Sequence, residues 1–304
     1  MTNFDVTILG SNSAISDHGR HPTSQVIQIY NQVFLMDCGE GTQLRLLQEK
    51  IKWFSINHIF ISHLHGDHYF GLIGLITTYN LLKRKQSLTI YAPAPLKDII
   101  EIQLNVSNTV LCYELNFVVT KDDAFYKLFE NELVEVFSFP LVHRIPTTGF
   151  LFKQKEGDRK LLIEKAAHLD IDKSDYKLLK QGIDVTDKIG NVIKSADFTD
   201  APHAARSYAF CSDTMYDESI VKYIKGVDLL YHEATYLHDS VDRATQTKHS
   251  TALQAAKIAK QAHAKKLIIG HFSSRYYHLS VLLDEAKTVF ENVELAIEGE
   301  VFSV

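Results

Sequence analysis

Four residues able to bind a metal ion fall within six positions, His63-Leu64-His65-Gly66-Asp67-His68, between the apolar segment HIFIS and the apolar run YFGLIGLITTYNLL. No other feature constrains the fold so strongly. His63 and His65 would point about 200° apart on a helix, so they can share an ion only from a strand end or a turn. Gly66 permits the sharp turn that carries Asp67 and His68 round to a second position. Imidazoles this crowded repel one another when charged and have no packing role, which favours a metal loop over a merely polar one.

One loop does not complete a working site, and the ends of later strands supply what it lacks. VEVFSFPLV ends at His143, YAFCS at Asp213, VDLLY at His232 and Glu233, and KLIIG at His271. Layered α/β folds collect ligands at such ends, where the scaffold is rigid and the loops are free to vary. His63, His65 and His143 can fill one position and Asp67, His68 and His271 another, with Asp213 bridging them. Seven nitrogen and oxygen donors without a thiolate suit a pair of Zn2+ ions, with Mn2+ or iron also compatible. Two ions about 4 Å apart can share a hydroxide and polarise a phosphoryl or acyl oxygen, which is hydrolytic machinery without a protein nucleophile.

The surrounding pattern predicts an antiparallel meander (Asp5–Leu9, Gln25–Tyr30, Val33–Met36) followed by alternating helices and strands. Helices are expected near Thr42–Lys50 and Phe70–Leu82 and from Pro95. Strands are expected at Ile59–Ser62, Leu88–Tyr91, Leu115–Val119, Val134–Val142, Tyr208–Cys211, Leu229–Tyr231 and Leu267–Ile269, giving mixed sheets with helices outside. No run reaches the ~18 apolar residues that would span a membrane. Three cysteines without a C-x-x-C pair point to reduced thiols and a cytoplasmic protein. The net charge of −5 excludes a uniformly basic nucleic-acid binder. One domain spanning 1–304 is expected, with residues 153–198 as a candidate inserted RNA-binding arm; from Lys153 to Lys194 it holds ten basic and eight acidic side chains. Lys83-Arg84-Lys85 and Arg275 are further candidates for phosphate contact. Eight other histidines, His18, His21, His58, His168, His203, His238, His263 and His278, read as structural or surface residues.

H-x-H-x-D-H with a later His, Asp and His resembles the metallo-β-lactamase superfamily. Asp37-Cys38-Gly39-Glu40-Gly41-Thr42-Gln43, His232-Glu233-Ala234-Thr235, His249-Ser250-Thr251 and His271-Phe272-Ser273-Ser274-Arg275-Tyr276 are similar to motifs of the ribonuclease Z (tRNase Z) family. The resemblance implies an α/β fold, a four-layer αββα sandwich of two mixed β-sheets with a small inserted arm. It implies a homodimeric, zinc-dependent endoribonuclease that removes the 3′ trailer from precursor tRNA and leaves a 3′-hydroxyl. Under it Asp67 is proton acceptor as well as metal ligand, and Glu233 with His249 delivers a proton to the leaving oxygen. Thr251 with Gln254 fits a capping box, placing His249 just before a helix. Two segments depart from the family pattern: the arm lacks a Gly-Pro tip, and the N-terminal loop GSNSAISDHGRHPTS is not Gly-Thr-rich. The rival readings are a phosphodiesterase or other hydrolase of the same superfamily without tRNA specificity, and an idle RNA-binding scaffold, disfavoured because every ligand position is filled.

Overall fold

A computed structural model describes residues 3–202 and 204–304; His203 lies outside them. Two seven-stranded sheets pack face to face. In spatial order the first holds Val301–Ser303, Phe4–Gly10, Ser24–Ile29, Gln32–Met36, Ile56–Phe60, Leu88–Ala92 and Leu115–Val119. The second holds Val293–Leu295, Lys266–Gly270, Leu229–Glu233, Ser207–Cys211, Thr147–Gln154, Val134–Leu141 and Tyr126–Glu130. Each sheet is antiparallel in one half and parallel in the other.

Side-chain alternation assigns the layers. In Gln32–Met36, Phe34 and Met36 turn toward the other sheet, while Val33 and Leu35 turn toward helices. Phe34 and Phe60 meet Phe152 and Phe150 of the second sheet edge-on, each pair at 5.5 Å. Helices Thr42–Gln48, Leu72–Leu81 and Pro95–Val106 cover the outer face of the first sheet, the last opening on Pro95, whose missing N–H costs nothing there. Ala252–Gln261 and Ser280–Lys287 pack on the second. The Thr251 capping box forms in both directions: Thr251 Oγ1 accepts from Gln254 N–H, and Gln254 Oε1 from Thr251 N–H.

Parallel strands end along one rim of the sandwich, and two reversals through Thr147–Gln154 aim Val134–Leu141 at the same rim. Thr147–Gln154 escapes the sequence pattern because it is central and buried on both faces, so it shows no alternation. The excursion after it folds around Ile171, Leu179, Val185 and Ile193 and carries two small two-stranded sheets.

Arg84 does not fulfil its expectation. It is buried, donating to the carbonyls of Phe54, Gln86 and Ser87 and to Asn57 Oδ1, with its guanidinium 4.6 Å above the Tyr79 ring. A guanidinium buried among internal acceptors is out of reach of phosphate.

Candidate metal centre

Strand ends and the short helix Gly66–Tyr69 bring all seven sequence-assigned donors together. His63 Nε2 lies 3.0 Å from His65 Nδ1, and His65 Nδ1 lies 3.2 Å from His143 Nε2. Asp213 Oδ2 is 3.5 Å from His63 Nε2 and 3.8 Å from His143 Nε2. The other oxygen of the same carboxylate faces the second group, with Oδ1 3.4 Å from His68 Nε2 and 3.1 Å from His271 Nε2. Asp67 Oδ2 completes that group, 3.6 Å from His68 Nε2 and 3.4 Å from His271 Nε2.

These separations fit metal ligation. Donors on a tetrahedral Zn2+ with bonds of about 2.0–2.1 Å stand roughly 3.3 Å apart. Adjacent imidazole nitrogens at 3.0–3.2 Å need a proton or a cation between them. His68 Nε2, His271 Nε2 and Asp213 Oδ1 are buried without hydrogen-bond partners, and all three face one another. Orphaned polar atoms of this kind are costly unless something binds them.

The far ring nitrogens are held in turn. His68 Nδ1 lies 2.7 Å from Asp37 Oδ2, His143 Nδ1 2.8 Å from the Lys248 carbonyl, His271 Nδ1 2.9 Å from Thr235 Oγ1 and His63 Nδ1 3.1 Å from Ser62 Oγ. Such partners fix ring orientation and tautomer. Lys248 reaches His143 because it ends helix Val241–Thr247 in the left-handed conformation, φ 56°. Sequence reasoning misses Asp37 as a functional residue. It is fully buried, accepts from the Ser62 N–H and Oγ–H, and follows strand Gln32–Met36, the same strand-end signal that reveals the others. The glycine after Cys38 has a steric reason: a Cβ at Gly39 would lie 2.5 Å from the Asp67 carbonyl oxygen, so only glycine lets this segment pack against the metal loop.

Electrostatics at the two groups differ. Burial, aided by the charge-favouring His68 ring, holds His63 well below the ordinary histidine pKa, and burial lowers His143 to about 4, leaving neutral ligands. Burial opposes charge on His68 too, but Asp213, Asp67 and Asp37 outweigh it and push its pKa well up. Positive charge is therefore favoured where the orphaned atoms meet.

Beside the donors stands a second buried pair. Glu233 Oε1 is 2.9 Å from His249 Nδ1, and the carboxylate also accepts from Thr214 N–H, Thr235 N–H and Thr235 Oγ–H. Burial disfavours a charged His249, yet Glu233 reverses the balance and raises its pKa to about 9. Although His249 falls within reach of Asp213 and His271, its Nδ1 is engaged by Glu233, which separates it from the seven donors. His232, in the same strand, is buried and gives Nδ1 to the Glu233 carbonyl at 2.7 Å; it faces no donor group.

A cavity of about 620 Å³ opens over both features, with Arg144, Arg243 and Arg275 in its wall and Phe70 at its lining. Arg275 lies 5.0 Å above the Tyr236 ring. Among the described residues no helix is long and apolar enough to cross a membrane.

The model of the family described as "Anti-Pycsar protein Apyc1" matches residues 4–129, less than half of the chain. The structure of human tRNase Z, short form, aligns with a TM-score of 0.71 at 29% identity, covering 99% of both chains. The metallo-β-lactamase fold protein YhfI from Bacillus subtilis aligns with a TM-score of 0.70 at 19% identity over 99% of this chain and all of that one, a likeness of fold alone. The two mixed sheets with helices outside are thus the metallo-β-lactamase fold. In sequence, a ribonuclease Z from Cytophaga hutchinsonii is 46% identical over 99% of this chain and 96% of its own length, and one from Parabacteroides distasonis is 40% identical over the whole of both. With likeness of that extent over essentially the whole chain, the chain belongs to the ribonuclease Z family.

Proposed function

We propose that this protein is a tRNA 3′-processing endoribonuclease that removes the 3′ trailer from precursor tRNA with two Zn2+ ions per chain, Mn2+ being able to replace them. The observation carrying this reading is the convergence of His63, His65, His143 and Asp213 on one point and of Asp67, His68, His271 and Asp213 on another, beside the Glu233–His249 pair. When bound, such ions neutralise phosphodiester charge and make water acidic enough to deprotonate near neutral pH. Asp67, with its other carboxylate oxygen free of the donor group, takes the proton of the attacking water. His249, kept protonated by Glu233, donates to the departing 3′-oxygen, so the tRNA leaves with a 3′-hydroxyl. Arg144, Arg243 and Arg275 hold flanking phosphates, and the arm steadies the body of the tRNA at a distance. The enzyme works as a homodimer, for which the exposed Leu44 and Leu47 offer apolar surface, in the cytoplasm, in keeping with three free cysteines.

Metal analysis combined with mapping of the cut on a 3′-extended precursor tRNA tests the reading. A single endonucleolytic cut at the tRNA 3′ end, lost on chelation and restored by zinc or manganese, is expected. Equal hydrolysis of unstructured RNA would instead mark a general phosphodiesterase.

A further inference from the structure

Residues 11–23, between strands Phe4–Gly10 and Ser24–Ile29, place no side chain in the donor groups, but they place one backbone group there. The Ala14 N–H donates to Asp67 Oδ2 at 2.8 Å, the same oxygen that faces His68 and His271. To aim it, Ala14 adopts φ 62°, a left-handed conformation that a residue with a Cβ keeps only where its surroundings impose it.

A knot with the loop after His271 imposes it. Ser13 N–H donates to the Phe272 carbonyl and Phe272 N–H to the Ser11 carbonyl, both at 2.9 Å. Arg20 ties the two loops: its Nε donates to Asn12 Oδ1 at 3.0 Å and its Nη2 to the Tyr276 carbonyl at 2.9 Å. Asn12, so held, donates from Nδ2 to the Ile15 carbonyl at 2.7 Å, closing the turn that contains Ala14. His18 adds a bond to the Ser274 carbonyl at 2.8 Å and an edge-on contact with Tyr277, while His21 anchors the far end on Glu298. Arg20 is absent from the lining of the cavity over the donors, so both of its bonds serve the protein itself.

We propose that Arg20 is a positioning residue for the reaction: by locking the N-terminal loop onto the loop after His271, it holds the Ala14 N–H against Asp67 and fixes the carboxylate that ligates metal and accepts the proton. This rests on the role given to Asp67 above. It also gives the departure of the N-terminal loop from the family pattern a purpose, since an Arg20–Asn12 clasp does what backbone-flexible residues would not.

The test compares wild type, Arg20→Met and Arg20→Lys as full-length proteins. Co2+ titration followed by visible absorption reports on the donor groups, and turnover is measured on precursor tRNA and on bis(p-nitrophenyl) phosphate. Arg20→Met is expected to bind the weaker of its two Co2+ ions about 10- to 100-fold less tightly, the range found when the partner of a ligand is removed. Its kcat should fall by a common factor on both substrates, with KM for tRNA unchanged. Arg20→Lys, which retains a donor for the Tyr276 carbonyl, should recover part of both losses. Unchanged Co2+ affinity and unchanged small-ester turnover, with a raised KM for tRNA, would overturn the proposal and make Arg20 an RNA contact. If Arg20→Met does not fold, the Lys variant decides: a partial fall in both Co2+ affinity and small-ester turnover is the supporting result, and a raised tRNA KM alone the opposing one. Wild type that binds no Co2+ would sink the reading of the site, and this proposal with it.

Discussion

Asp37, His63, His68 and Glu233 have no exposed surface; Asp37, His63 and Glu233 stand at or just past the ends of strands of the two large sheets, and His68, in the short helix Gly66–Tyr69, is held by Asp37. The arm between Gln154 and Ser207 is held by Ile171, Leu179, Val185 and Ile193, of which only Leu179 is completely buried. So small a core confers little stability of its own, whereas the sandwich that carries the donors is built on two far larger hydrophobic clusters. Reacting groups need positions fixed to fractions of an ångström, which only the sandwich supplies. A surface that meets a large RNA tolerates local opening, and the arm is built for that end of the range. Charge separates the regions too. From Lys155 to Arg206 the arm holds ten basic and ten acidic side chains, several paired, as Lys188 is with Asp170 at 2.7 Å. Any grip it has on phosphate comes from where its lysines stand and not from net charge.

The sharpest way to break this contrast is at Asp67. Asp67→Ala should lower cleavage by about 10²- to 10⁴-fold in a folded protein, and Asp213→Ala should in addition cost both ions, since its two oxygens face the two groups. Activity within a few-fold of wild type, or metal content unchanged in Asp213→Ala, would remove the rigid centre from the comparison.

Next come Glu233→Gln and His249→Ala. Each should slow cleavage by about 10²-fold with zinc content intact, because Glu233 acts through His249 and neither belongs to the seven donors. The double variant should be little worse than the more damaged single, as expected of groups acting as a unit. Loss of one equivalent of zinc from either single variant would place that residue among the ligands.

Excising residues 156–205 and closing the gap with a short Gly/Ser linker should raise KM for precursor tRNA by about 10-fold and reduce its salt slope by about 0.9 for each phosphate the arm had neutralised. Turnover of bis(p-nitrophenyl) phosphate should persist, since the donors and the Glu233–His249 pair lie outside the segment. An unchanged KM and slope would make the arm an ordinary solvated excursion.

The smallest effect probes the arm's core. Leu179→Ala removes its most buried side chain, a change worth about 2–5 kcal/mol in a packed interior, and should open the arm without unfolding the sandwich. Limited proteolysis should then cut within 156–205 while the main thermal transition and the zinc content stay as in wild type. A cooperative loss of both would show that the two regions fold as one unit.

Much of the centre is legible in the sequence because its residues share a local signature: an apolar run that stops at a histidine or an acidic residue. That signature marks the H-x-H-x-D-H loop, His143, Asp213, Glu233 and His271 without reference to any contact. Asp37 carries the signature too, directly after strand Gln32–Met36, but within Asp-Cys-Gly-Glu-Gly it reads as part of a turn, and its partner His68 lies 31 positions away. Thr147–Gln154 is illegible for a different reason: a strand covered on both faces loses the alternation by which strands are found. Arg84 misleads because a basic triplet after a helix looks solvated, and only the approach of Tyr79, Phe54 and Asn57 shows it to be interior.

Local sequence by itself marked the candidate donors and most of the strands and helices that carry them, since periodicity and capping act over a few residues. The pairing of donors depended on tertiary structure: Asp213 facing both groups, His143 meeting the Lys248 carbonyl 105 positions away, and the Ala14 N–H meeting Asp67 53 positions away. Those distances follow from the order of strands in two sheets and from how the sheets face one another. That order is chosen by burial summed over the whole core, and no short stretch of chain encodes it.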